Sequence, residues 1–142
     1  MALPDHASPL LEVRRCLARQ TVTTLGLPPP ASFVVPRPRT AATGAAKAFL
    51  AAHGTVTAVA AFADDIALRT LTALHDLGRA APDDLAVIGL DDTEYGALVT
   101  PALTTVHIDA EAHGRLAART ALGLGLAGLS PEPGQIIARD SA

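Results

Sequence analysis

Hydrophobic and polar positions follow two rhythms along this chain. Short continuous apolar runs alternate with longer stretches in which apolar residues recur every three or four positions. The first rhythm is that of buried strands, the second that of amphipathic helices. Residues 8–25 read as a helix. Ser8 can cap it, Pro9 fits a first turn, and Gly26 followed by Pro28-Pro29-Pro30 ends it. Ser32-Phe33-Val34-Val35 reads as a strand and Pro36-Arg37-Pro38-Arg39 as a loop. Thr40 is expected to cap a helix running to His53, with Gly54 at its end.

The second half repeats the alternation. Residues 56–62 form a Val- and Ala-rich strand candidate, and Asp64 or Asp65 begins a helix to Leu77, closed by Gly78. Ala67, Leu71, Leu74 and Leu77 have helical spacing in it. Pro82-Asp83-Asp84 is a turn, and Leu85-Ala86-Val87-Ile88-Gly89-Leu90 is the clearest buried strand. A short helical piece is expected over 94–99, a strand over 104–108, and a helix capped by Asp109 through about Leu124. Gln135-Ile136-Ile137-Ala138 is a last strand. Apolar strands alternating with helices predict an α/β fold, an open and mostly parallel sheet with helices on both faces. No internal repeat is present. Residues 123–128 match G-x-G-x-x-G, but at a helix end. The dinucleotide fingerprint must follow a strand and open a helix, so the match is read as a glycine-rich helix exit.

Composition narrows the function. The 142 residues suffice for one domain with a core. Aromatic residues are only 3%, so Ala, Leu, Val and Ile must build that core. Sugar sites favour an aromatic face, which only Phe33, Phe49, Phe62 and Tyr95 could supply. A formal net charge of −3 with no basic stripe argues against direct nucleic-acid contact. Cys16 is the only cysteine and is read as a buried small residue in a helix. An intrachain disulfide is therefore impossible, which fits a cytoplasmic setting. The sequence has neither a signal peptide pattern nor a membrane-length apolar run.

Candidate chemistry sits at the strand ends. Asp91-Asp92 directly follows the strand ending at Leu90, and Asp64-Asp65 follows the preceding one. Open α/β sheets bind ligands outside the carboxyl ends of their strands. A carboxylate there accepts hydrogen bonds from sugar hydroxyls or a purine amine. Asp91 is expected in the cleft, Asp92 in a structural or capping role, and Asp64 at a helix N-cap. Paired carboxylates also suit a glycosidase or a metal site. Yet the five histidines lack ligand spacing, and no P-loop or nucleophile elbow occurs. No catalytic residue, cofactor or metal is assigned. A small α/β enzyme and a solute-binding transport protein remain the alternatives.

Four ordered motifs carry a resemblance. Thr57-Ala58-Val59-Ala60-Ala61-Phe62-Ala63-Asp64-Asp65-Ile66-Ala67-Leu68 resembles the segment T-A-x-x-x-x-N-D-x-x-A-x-G of LacI-type transcriptional regulators. Ala81-Pro82-Asp83-Asp84-Leu85-Ala86-Val87-Ile88-Gly89-Leu90-Asp91-Asp92 is similar to that family's V-P-x-D-(IV)-x-(VL)-(IV)-G-(FY)-D-(DN). Thr100-Pro101-Ala102-Leu103-Thr104-Thr105-Val106 resembles its P-x-L-T-T-(VI), and Ile136-Ile137-Ala138-Arg139-Asp140-Ser141 its closing L-V-x-R-x-S. Upstream, Arg14 falls where the family has the arginine of R-x-x-G, with Leu17 replacing the glycine. Thr43-Gly44 fits an S-G that opens the next helix.

The resemblance implies one lobe of a periplasmic-binding-protein-like type I fold. It implies a sensor that binds a sugar or nucleobase effector between two lobes and forms a homodimer. Residues 1–142 are then a single partial domain, the C-terminal lobe, without a helix-turn-helix and with the N-terminal lobe largely missing. Arg14 and Asp91 match effector-contacting positions. Arg39 stands where an aromatic stacks on the effector, and Ala63 where an effector-binding Asn is common. Leu68 and Val99 match dimer contacts, ordinary core being the competing reading. The helix over 109–124 corresponds to one that packs on the other lobe, and the first strand of this lobe is expected to lie before Met1. Half a cleft implies weak effector affinity.

Overall fold

The computed structural model describes residues 1–125 and 128–142. Six strands and four α-helices alternate: β1 (Ala2–Leu3), α1 (Pro9–Thr24), β2 (Phe33–Val34), α2 (Arg39–Ala52), β3 (Ala58–Ala60), α3 (Asp64–Asp76), β4 (Ala86–Ile88), β5 (Thr105–His107), α4 (Ala110–Ala121) and β6 (Gln135–Ile137). A 3-10 turn, Glu94–Ala97, lies between β4 and β5. β1 pairs parallel with β2, β3 parallel with β4, and β5 antiparallel with β6. Single parallel bridges, Ala2 to Ala61 and Ile88 to Thr104, join these pairs in the order β2-β1-β3-β4-β5-β6. The mostly parallel α/β sheet expected from the alternation is therefore present.

β1 corrects the expectation that the first strand lies before Met1. Ala2 and Leu3 are buried, and Val35 donates to the Leu3 carbonyl at 2.8 Å. Two residues are too few to show a period, so only their pairing reveals the strand. Right-handed crossovers place α1 on one face of the sheet and α2 and α3 on the other, because β1 to β2 runs outward and β2 to β3 runs back. The core lies on the α2–α3 side, where Val35, Phe49, Val59, Ile66, Leu74 and Val87 pack together. Helices lie on both faces as expected, but the α1 side is the more thinly covered. Leu11 is the one buried residue of α1, Cys16 is exposed rather than buried because it lies on the solvent side of that helix, and Ala58 and Ala60 on β3 are exposed. A hollow of about 590 Å³ lined by Val22, Leu27, Ala58 and Ala60 lies there.

Caps follow local chemistry in two helices and depart from it in two. Ser8 Oγ accepts from Leu11 N–H at 3.1 Å, and Asp109 Oδ1 from Ala112 N–H at 2.8 Å. α2 starts one residue before the expected cap Thr40, behind Pro38. α3 has Ala63 at its N-cap, so Asp64 is its first helical residue and does not cap it. Among the described residues α4 buries no side chain, and it ends at Ala121 rather than near Leu124. Of the glycine-rich match over 123–128, positions 126 and 127 lie outside the described residues.

Candidate effector site at the carboxyl ends of the strands

The parallel strands deliver their C-terminal ends to one edge of the sheet. Asp5 and His6 follow β1, Arg37 follows β2, Phe62 and Ala63 follow β3, and Asp91 follows β4. α1 brings Arg14 to the same edge. Its guanidinium Nη1 donates to the Phe62 carbonyl, and its Cζ lies 4.4 Å from the centre of the Phe62 ring. Its Nη2 stands 3.8 Å from Asp91 Oδ1. The structure thus brings together Arg14, Ala63 and Asp91, three of the four expected effector residues. Partial burial pushes the Asp91 carboxyl above the ordinary carboxylate range. Arg14 opposes that shift, and nearby Asp64 and Asp65 add to it.

Arg39 is not brought to this edge. Its guanidinium is held by Asp76, with Nε 2.9 Å from Oδ2, at the last residue of α3. Asp76 is pushed down to about 2, chiefly by that hydrogen bond. The length of α3 places Asp76, which holds this guanidinium, roughly 18 Å from the Ala63 end. Arg37, two residues earlier, lies at the strand-end edge instead. It lines a recess of about 50 Å³ with Asp5, His6, Phe62, Asp65 and Arg69. Its place just after β2 was the available signal.

The other acidic residues are structural. Asp64 is fully buried and accepts from Thr93 N–H at 2.7 Å, the Thr93 hydroxyl at 3.1 Å and the Thr105 hydroxyl at 2.5 Å. Asp92 binds Arg139 Nη2 at 2.8 Å, and His107 Nδ1 stands 3.3 Å from its other oxygen. Arg139 holds the Asp92 carboxyl below the ordinary range. Among the described residues no cluster of His, Cys, Asp or Glu is arranged to hold a metal ion.

Leu68 and Val99 lie away from the strand ends. Together with Arg39, Leu71, His75 and Pro101 they line a hollow of about 540 Å³ between α3 and the segment after the 3-10 turn. Both side chains are half-buried. No helix of the described chain is long and apolar enough to cross a membrane.

The sequence profile of the periplasmic binding protein-like domain family matches residues 1–141. The chain belongs to this family. Within it, the resemblance is to LacI-type regulators. A LacI family transcriptional regulator from Arthrobacter sp. FB24, solved in complex with lactose, superposes with a TM-score of 0.72 and 30% identity. The match covers 99% of this chain and 55% of that one. A sugar-binding LacI family regulator from Escherichia coli, complexed with phosphate, shares the fold with a TM-score of 0.77 and 24% identity, over 99% of this chain and 54% of that one. The ribose operon repressor of Halalkalibacterium halodurans is 37% identical over 60 residues, 42% of this chain and 18% of the repressor. The chain spans about half the length of these solved regulators and less than a fifth of the ribose operon repressor.

Proposed function

We propose that this chain is the effector-sensing and dimerisation portion of a LacI-type transcriptional regulator. In this reading it binds a small sugar or nucleobase at the carboxyl ends of its strands. The observation that carries this is the Arg14–Phe62–Asp91 arrangement. A guanidinium with spare donors and a carboxylate with spare lone pairs stand side by side at the place where open α/β sheets bind ligands. Arg14 and Asp91 hold adjacent hydroxyls or ring nitrogens. Ala63 contributes only its backbone. The lactose bound by the Arthrobacter regulator supports a sugar.

The same reading makes the chain one lobe of a two-lobed domain. α4, with no buried side chain, packs on the second lobe, and the Leu68–Val99 face pairs two copies. The chain performs no catalysis and makes no direct contact with nucleic acid. The one-sided cleft buries little of a ligand, so binding is weak.

The test is an amide-resolved NMR titration of the chain with lactose, D-ribose and adenine, each taken to roughly 20 mM to reach the millimolar affinity range. Shifts centred on residues 5–6, 62–63 and 91 for one ligand, lost in Asp91→Ala, are expected. Shifts centred elsewhere, or unchanged in that variant, overturn the assignment. An absence of shifts for all three overturns sugar and nucleobase binding by this lobe.

A further inference from the structure

Among the described residues, Asp91 and Asp92 are the two non-glycine positions with positive φ, at +110° and +51°. A Cβ makes that backbone unfavourable, and residues held there cluster at functional sites. Something must hold the pair. On one side the Asp91 N–H donates to the Val106 carbonyl at 2.9 Å. On the other, Asp92 is gripped by Arg139, which lies two residues beyond β6. Arg139 is itself fixed. Its Nη1 donates to the Leu103 carbonyl at 2.8 Å, and its backbone N–H to Thr104 Oγ1 at 2.9 Å. The Arg139 and Asp92 side chains are only 20% and 22% exposed, so this ion pair is part of the packed structure rather than surface decoration.

The consequence reaches the effector site. Backbone direction at positions 91 and 92 decides where the Asp91 carboxylate points, and in this conformation it stands 3.8 Å from Arg14. We propose that Arg139, acting through Asp92, is a positioning residue for effector recognition: it holds the β4 exit in the left-handed form that aims Asp91 at Arg14. The role in recognition rests on Asp91 being the effector carboxylate, while the geometric part stands without it. Through Arg139 the tail beyond β6, remote in sequence, sets the geometry of the site.

Two substitutions at one position isolate this effect. Asp92→Ala and Asp92→Gly both cut the ion pair and remove the same charge. They differ only in the Cβ that makes the left-handed backbone costly. The readout is the titration of the Asp91 side-chain carboxyl, followed by carbon-detected NMR in the full chain. In the wild type it titrates above the ordinary carboxylate value. In Asp92→Ala the freed side chain is rehydrated and moves toward the ordinary value, whereas Asp92→Gly stays closer to the wild type. Equal titration in the two variants overturns the proposal. Arg139→Met gives a second, independent reading with opposite signs. Removing a nearby positive charge alone raises the Asp91 pKa, and release of the backbone lowers it. A rise overturns the proposal. Any probe whose shifts map to residue 91 should bind more weakly to Asp92→Ala than to Asp92→Gly. If no probe binds the wild type, the effector reading fails, and the titrations still decide the positioning role.

Discussion

Thr105 donates its hydroxyl to Asp64 at 2.5 Å, and both side chains are fully buried. This bond ties the first residue of α3 to β5, next to the turn that carries Asp91. Removing Asp64 strands the buried Thr105 hydroxyl and unties the exposed Thr93 from the start of α3. Loss of a partner to buried donors costs about 1–3 kcal/mol. Asp64→Ala should therefore destabilise by about 2–3 kcal/mol in urea unfolding. Thr105→Val, which leaves Asp64 its two bonds from Thr93, should cost less. Equal losses would mean that Thr105 carries the whole effect.

Gly89 exists because of Asp64. A Cβ at position 89 would stand 2.1 Å from Asp64 Oδ1 and 3.0 Å from Leu103 Cδ2. Gly89→Ala should destabilise by about 1–3 kcal/mol, the usual range for overpacking. Gly44, inside α2, meets nothing within 4 Å, so Gly44→Ala should stabilise by roughly 0.5–1 kcal/mol. Thermal unfolding of the two variants should move in opposite directions.

Asp91 and Asp92 should respond oppositely to pH. The folded-state pKa of Asp91 is raised, so its contribution favours folding below the unfolded carboxylate value and is lost as pH rises through the raised value. That of Asp92 is lowered, so its contribution is present above the unfolded value and is lost as pH falls through the lowered one. Asp91→Asn should be neutral or stabilising near neutral pH, because the amide removes the desolvated charge and Asn tolerates positive φ. Asp92→Asn should destabilise near neutral pH and have little effect in acid. Partial exposure of Asp91 keeps its effect under about 1 kcal/mol. Urea midpoints across an acid-to-neutral series test both.

The Leu68–Val99 face should pair two copies. Leu98, beside Val99, is 77% exposed, which leaves a large apolar side chain ready for burial. Light scattering across a dilution series should give a dimer mass for the wild type and a monomer mass for Leu68→Glu and Val99→Asp. A wild-type monomer at all concentrations would remove the dimerisation role.

Ordinary rules made much of this fold legible. Asp91 is expected at the carboxyl edge of the sheet and lies there, and Ser8 and Asp109 cap their helices as expected. Arg39 was assigned by motif offset, and the structure sets it at the far end of α3 on Asp76. Asp64 was placed as a cap because Asp before an apolar helical stretch usually caps. It lies one residue inside the helix, where its carboxylate meets hydroxyls from two other segments.

The sequence by itself determined the succession of strands and helices, their stop signals and the residues at the strand ends. Periodicity, caps and turns act between near neighbours, so a single chain displays them. Only the tertiary structure decided that Ala2–Leu3 is a strand, that the α1 face is thinly covered, and that Arg139 reaches across to Asp92. Those features depend on register and on distances between segments far apart in sequence, and no local pattern encodes either.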